Sequence, residues 1–129
     1  MNKNIKAILG IFAATIVISV IEFLRNEYLF KSYWVDHYKS MNLEFPGDLV
    51  NGLLWGIWSL FLAICIYILQ RKLSLFETVF IAWFMGFVLM WLVIGNLGVL
   101  PLNLLYFAVP MSIIEVLIAV LTLRKFISS

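Results

Sequence analysis

The chain alternates four long apolar stretches with short polar connections. The stretches cover residues 5–24, 49–69, 75–94 and 102–123. Each has about the 20 residues that an α-helix needs to cross the hydrocarbon core of a bilayer. Backbone polar groups must be satisfied within a spanning helix, and the sequence lacks the short alternating segments of a membrane β-barrel. The pattern predicts an all-α fold: a four-helix transmembrane bundle, formed as one domain by residues 1–129.

The first connection is the one long polar segment, and it carries a helical pattern of its own. Its large apolar and aromatic residues recur at i, i+4, i+8 and i+11: Phe30, Trp34, Tyr38 and Met41. Residues at this spacing share one face of a helix, and aromatic side chains suit the headgroup region of a bilayer. We therefore expect a short interfacial helix over about residues 28–42, and an Asp48 cap on the next spanning helix.

Composition supports the membrane interpretation. Hydrophobic residues make up 64% of the chain and charged residues 12%, whereas a soluble domain is roughly half apolar and about a quarter charged. A soluble fold of 129 residues could not hide so much apolar surface. The net charge of +2 is too small to indicate a nucleic-acid partner, so the expected partner is the lipid bilayer.

Basic residues predict the orientation. The side that carries both termini and the second connection has six of them: Lys3, Lys6, Arg71, Lys72, Arg124 and Lys125. The opposite side has three: Arg25, Lys31 and Lys39. Positive residues are retained in the cytoplasm. We expect a multi-pass protein of the cell (inner) membrane, with both termini cytoplasmic and the first connection outside.

Two stripes of small residues predict the faces on which the helices pack. One lies on the second spanning helix: Gly52, Gly56, Ser59 and Ala63. The other lies on the fourth: Ala108, Ser112, Glu115, Ala119 and Thr122. Small residues let membrane helices approach closely. Both stripes should therefore be buried, with Glu115 turned toward protein.

Glu115 is the most informative residue, because a carboxyl group in hydrocarbon is costly and often marks an ion or proton pathway. It precedes Arg124 by nine positions, roughly 13 Å along a helix. The same depth holds Thr15 on the first helix and Trp83 on the third, both hydrogen-bond donors. With Ser112 they form an expected intramembrane polar site with no basic residue at its level. The glutamate is either a neutral structural group or a functional protonatable one.

A second polar group is expected at the outer mouth of the bundle, where helices end. Its members are Glu22, Arg25, Asn26, Asn51, Asn96 and Asn103. Two tryptophans, Trp55 and Trp91, lie about one turn deeper. Polar residues above an apolar body form a shallow binding site, or they simply cap helix ends. Both interpretations stay open.

No motif points to a metal, a cofactor or a catalytic nucleophile. The single histidine, His37, and the single cysteine, Cys65, cannot make a metal site alone. Three functions remain: a structural, accessory or self-associating membrane component, a minimal transporter or proton pathway using Glu115, and a membrane enzyme at the outer mouth. Because four helices enclose little space, the transporter would require a homo-oligomer. The structural or accessory component would associate with itself or with a larger membrane complex.

Overall fold

In a computed structural model, residues 1–128 are described and form five helices without a β-strand. They are α1 (Lys3–Leu29), α2 (Lys31–Ser40), α3 (Leu49–Gln70), α4 (Leu75–Asn96) and α5 (Leu102–Ser128). All but α2 are long and apolar enough to cross a membrane. The predicted all-α four-helix membrane bundle, with a short helix in the first connection, is confirmed.

The four long helices form a ring in the order α1, α3, α4, α5. Helix α1 packs along α3 and α5, and α4 packs against the same two helices, so α1 and α4 are diagonally opposite. The α1–α5 contact is the most extensive. At Gly10 an added Cβ would lie 2.9 Å from Leu123 Cδ1, so the absence of a side chain there allows the close approach.

Two helix starts carry reciprocal caps. Ser74 Oγ accepts from the Glu77 backbone N–H, and the Glu77 carboxylate accepts from the Ser74 N–H, both at 3.2 Å. Asp48 and Asn51 make the equivalent pair at the start of α3. These boxes satisfy backbone donors that a helix start leaves free. Glu77 therefore has the structural role that its spacing from Ser74 indicates, and Asp48 is a cap as expected.

Two of the long helices contain π-helical segments. The last six residues of α1, Leu24–Leu29, are π-helical, and the Phe30 N–H donates to the Arg25 carbonyl at 2.9 Å. A second segment, Phe84–Val88, interrupts the middle of α4. Such insertions are rare and frequently lie at functional sites.

The two ends of the bundle differ in packing. We call the end that carries both termini the termini end, and the opposite one the α2 end. Toward the termini end, the interior is filled by residues such as Ala14, Ile66 and Val120, none of which is exposed. Toward the α2 end, no residue of the last α4 segment, Leu89–Asn96, is buried. The helices therefore separate near α2, and a cavity lies between them.

Candidate functional site

Within residues 1–128, three charged side chains are buried inside the bundle. Glu22 and Arg25 on α1 are each 4% exposed, and Glu115 on α5 is 0% exposed. Ionised groups are expensive in hydrocarbon unless they pair with one another. How these three are paired therefore determines the chemistry of the site.

Glu22 is the centre of a hydrogen-bond network. Its Oε1 accepts from Arg25 Nη2 in an ion pair, and its Oε2 accepts from Asn26 Nδ2 at 2.8 Å. Asn26 Oδ1 in turn accepts from Trp34 Nε1 at 3.1 Å. The network ties the short helix α2 to the buried carboxylate, and it occupies both oxygens of Glu22.

Arg25 reaches across the bundle toward α4. Its Cζ lies 5.3 Å from the centroid of the Phe87 ring, within the range of a cation–π contact. Arg25 is the second residue of one π-helical segment, and Phe87 lies in the other. Among residues 1–128, no group accepts a hydrogen bond from Arg25 Nε or Nη1. The guanidinium is thus held by one carboxylate and one aromatic face.

Glu115 lies beside this pair. Its carboxyl group is within hydrogen-bonding reach of the Glu22 carboxyl group and within the electrostatic influence of Arg25. Neither Glu115 oxygen receives a hydrogen bond from a donor group in the described part of the chain. Two carboxylates offer no donor to each other, so their contact is favourable only when one of them carries a proton. The arrangement is a pair of carboxyl groups beside one guanidinium, able to share a proton.

The expected partners of Glu115 have other hydrogen bonds. Thr15 Oγ1 donates to the Ile11 carbonyl at 2.7 Å, and Trp83 Nε1 donates to Ser112 Oγ at 2.8 Å. The expectation that Thr15 and Trp83 bind the glutamate is therefore wrong. The expectation of no basic residue at its level is also wrong, because Arg25 is close to it.

A cavity of about 750 Å³ opens at the α2 end between the four long helices. Its volume is within the usual range for small-molecule sites. Glu22, Arg25, Asn26 and Asn51 are in its wall, and Glu115 lies behind Glu22. Glu115 of the expected intramembrane site thus lies in one continuous polar cluster with Glu22, Arg25 and Asn26 of the outer-mouth group.

The stripe of small residues on α3 is only partly buried. Ser59 and Ala63 are in the interior, whereas Gly52 and Gly56 line the cavity, with no atom within 4 Å of a Cβ added to either. The expectation that the whole stripe packs against another helix is wrong for these two glycines. On α5, Ala108, Ser112, Glu115 and Ala119 are buried, whereas Thr122, the last residue of that stripe, is only half-buried.

The other asparagines of the outer-mouth group stand apart from the carboxyl pair. Asn51 Oδ1 caps α3 by accepting from the Asp48 N–H at 2.9 Å. Asn96 is exposed at the end of α4. Asn103 lines a separate surface depression beside α2. Only Glu22, Arg25 and Asn26 of that group form the network.

His37 has a structural contact. Its Nε2 lies 2.7 Å from the Gly98 carbonyl oxygen, which joins α2 to the turn between α4 and α5. Aromatic stacking of Phe30 on Phe107, with centroids 5.0 Å apart, fixes the other end of α2. Helix α2 is therefore attached to the bundle beside the cavity, with Trp34 and Tyr38 in the cavity wall.

Within residues 1–128, no three His, Cys, Asp or Glu side chains are grouped so that they could hold a metal ion. No protein-family model, curated protein or solved structure matches the chain. The geometry of the carboxyl pair and the cavity is therefore the basis for inferring a function.

Proposed function

We propose that the protein is a proton-linked binding protein of the membrane. Binding of a small molecule in the cavity changes the affinity of the Glu22–Glu115 carboxyl pair for a proton, and protonation of the pair changes the affinity of the cavity for the small molecule. The observation that carries the proposal is the burial of two carboxyl groups beside a single guanidinium at a cavity wall. Of the two interpretations of Glu115, this is the functional one.

The energetics of burial favour a functional role. Replacing a buried ion pair by apolar residues of similar volume is often neutral or stabilising. A purely structural bundle would therefore gain little from Glu22, Arg25 and Glu115. With both carboxyl groups ionised, the cluster has one negative charge in excess. Binding one proton removes that excess, as in other carboxyl pairs that share a proton.

The packing supports entry of the proton from the α2 end. Glu22 lies in the wall of the cavity, which opens at the α2 end. Toward the termini end, Glu115 is followed by apolar interior residues such as Ala119, Val120 and Leu123. An apolar interior offers no hydrogen-bonded route for a proton. This supports a site loaded from the α2 end rather than an open channel through the bundle.

The distribution of basic residues supports placement in the cell (inner) membrane with both termini in the cytoplasm, so that the cavity faces outward. A transport role would require a homo-oligomer or a larger membrane complex, because the single bundle is closed toward the termini end. Thiol labelling tests this orientation: in a Cys65→Ser background, Glu44→Cys should react with an impermeant reagent in intact cells. Ser128→Cys should react only after lysis, and the reverse result would overturn the orientation.

Infrared spectroscopy of the carboxyl groups tests the shared proton. In lipid nanodiscs we expect a protonated-carboxyl band near neutral pH that is altered or lost in both Glu115→Gln and Glu22→Gln. Glu77→Gln is the matched control, since Gln can replace Glu in a capping box. It should leave the band unchanged. A spectrum that is unaffected by Glu115→Gln would refute the proposal and favour a structural or accessory component.

A further inference from the structure

The charges around the cavity restrict the kind of ligand that it can hold. Three carboxyl-bearing residues are in its wall, Glu22, Glu27 and Asp48, and Glu115 lies just behind. Arg25 is the single basic residue among the described wall residues, and Glu22 already pairs with it. The cavity is therefore negative on balance, and an anion placed in it would be repelled.

Much of the rest of the wall is aromatic. Seven rings contribute to it: Phe23, Trp34, Tyr38, Phe45, Trp55, Trp58 and Trp91. The faces of such rings attract cations, and tryptophan does so best. A bare metal ion needs several oxygen ligands close together, and within residues 1–128 no three His, Cys, Asp or Glu side chains are grouped in that way. Rings and carboxyl groups together match a cation with apolar substituents.

We propose that the ligand is a hydrophobic organic cation, such as an amine or a quaternary ammonium or phosphonium ion. Its charge replaces the proton that neutralises the Glu22–Glu115 pair. The inference rests on the proposed proton-linked function and names the ligand class of that same site. Cation and proton compete, because either one is sufficient to cancel the excess negative charge.

Few other ionisable groups bear on this competition. Glu115 on α5 is faced from α1 by Glu22 and Arg25. Helix α3 has no Asp, Glu, Lys, Arg or His between Leu49 and Gln70, and α4 has only Glu77, at the opposite end of the bundle. Helix α2 carries Lys31, Asp36, His37 and Lys39, none of which is among the described wall residues. Lys31 pairs at the surface with Glu27 at 3.1 Å, and Asp48 is the remaining carboxyl residue of the wall. The pH dependence of binding should therefore report the carboxyl pair.

Two probes of similar size and opposite charge provide the test: radiolabelled tetraphenylphosphonium and tetraphenylborate, with protein in nanodiscs and empty nanodiscs as the blank. We expect saturable binding of the cation, which weakens as pH falls, by up to about tenfold per pH unit where the proton competes. Glu115→Gln should weaken cation binding by roughly tenfold and flatten its pH dependence. Glu77→Gln should bind like the parent.

A second variant separates the cavity from the carboxyl pair. Gly56→Leu places a side chain in the open space that Gly56 faces. It should abolish tetraphenylphosphonium binding and leave the infrared carboxyl band intact. This variant keeps the test valid if a variant of Glu115 fails to fold.

The outcomes distinguish the two proposals. If the carboxyl band responds to Glu115→Gln but tetraphenylphosphonium does not bind saturably, the ligand class is wrong and the proton-linked site stands. Saturable binding of tetraphenylborate instead would also overturn the ligand class. If the cation binds but neither pH nor Glu115→Gln affects it, the competition is refuted. If the band is insensitive to Glu115→Gln, the proposed function itself fails.

Discussion

Removing the guanidinium of Arg25 should strongly destabilise the bundle. Arg25→Met keeps an unbranched chain of similar length but leaves Glu22 without its cation, next to Glu115. Arg25 is only 4% exposed, so water compensates little for the lost pair. Breaking a buried ion pair by removing one partner typically destabilises a protein by about 3–5 kcal/mol. The lost contact with Phe87 adds about 0.5–2 kcal/mol, part of which a methionine sulfur recovers.

The matched control is Lys31→Met, which also replaces a basic residue by methionine. The Lys31 side chain is 47% exposed and pairs with Glu27 at 3.1 Å, and exposed pairs contribute about 0–1 kcal/mol. Unfolding in mixed detergent–SDS micelles, followed by circular dichroism, measures both variants. We expect a loss of about 3–7 kcal/mol for Arg25→Met and under about 1 kcal/mol for Lys31→Met.

A double variant identifies the cause of the loss. Glu22→Gln removes the charge that Arg25 balances, so the Glu22→Gln/Arg25→Met protein should be more stable than Arg25→Met alone. The coupling energy from the four proteins isolates the pair from the change in packing. Equal stability of Arg25→Met and Lys31→Met would refute the reasoning, because it would mean that Arg25 compensates no buried charge.

Three further predictions follow from single contacts and use the same unfolding measurement. Gly10→Val should lower stability by about 1–3 kcal/mol through overpacking between α1 and α5, whereas Gly52→Val, in open space, should change it little; equal effects would contradict the close approach at Gly10. Trp83→Phe and Ser112→Ala should each lower stability by about 0.5–1.5 kcal/mol and should be non-additive together; full additivity would mean that the two side chains are not bonded. His37→Phe should leave the unfolding of the bundle unchanged but speed hydrogen exchange in α2, and unchanged exchange would show that the histidine does not attach this helix.

The helices are predictable from sequence because the bilayer imposes a simple requirement. A span needs about 20 apolar residues, and each of the four apolar stretches meets it. The short helix α2 is predictable because its aromatic residues recur at the helical period. The cap formed by Ser74 and Glu77 is predictable because its spacing is specific. These features depend on local sequence alone.

The partner of Glu115 was missed because it depends on how two helices are aligned. Counting inward from Lys6 and Arg124 places Glu115 opposite Thr15. In the structure, Gly10 instead packs against Leu123 and Phe126. Counting from that contact places Glu115 opposite residues 18–21, about one turn from Glu22. The contact follows from the missing Gly10 side chain, and no charge pattern indicates it.

Helical periodicity also could not distinguish a packed stripe from a cavity wall. Gly52 and Gly56 repeat with Ser59 and Ala63 at the spacing of one helix face, and small residues suit either a close helix contact or an open space. What decides between them is the separation of α4 from α3 near the α2 end, where Leu89–Asn96 has no buried residue. That separation is a property of the assembled bundle.

The π-helical segments link this separation to the polar cluster. One additional residue in a turn rotates the following residues by about 100° relative to a regular α-helix. A period of 3.6 residues per turn therefore assigns the residues beyond the π-helical segment to the wrong face of the helix. One segment begins at Leu24, just before Arg25, and the other contains Phe87. Arg25 and Phe87 are in contact although they lie on the diagonally opposite helices α1 and α4, which do not pack along each other. The site thus forms where both helices depart from regular geometry, and for that reason its position cannot be read from an α-helical period.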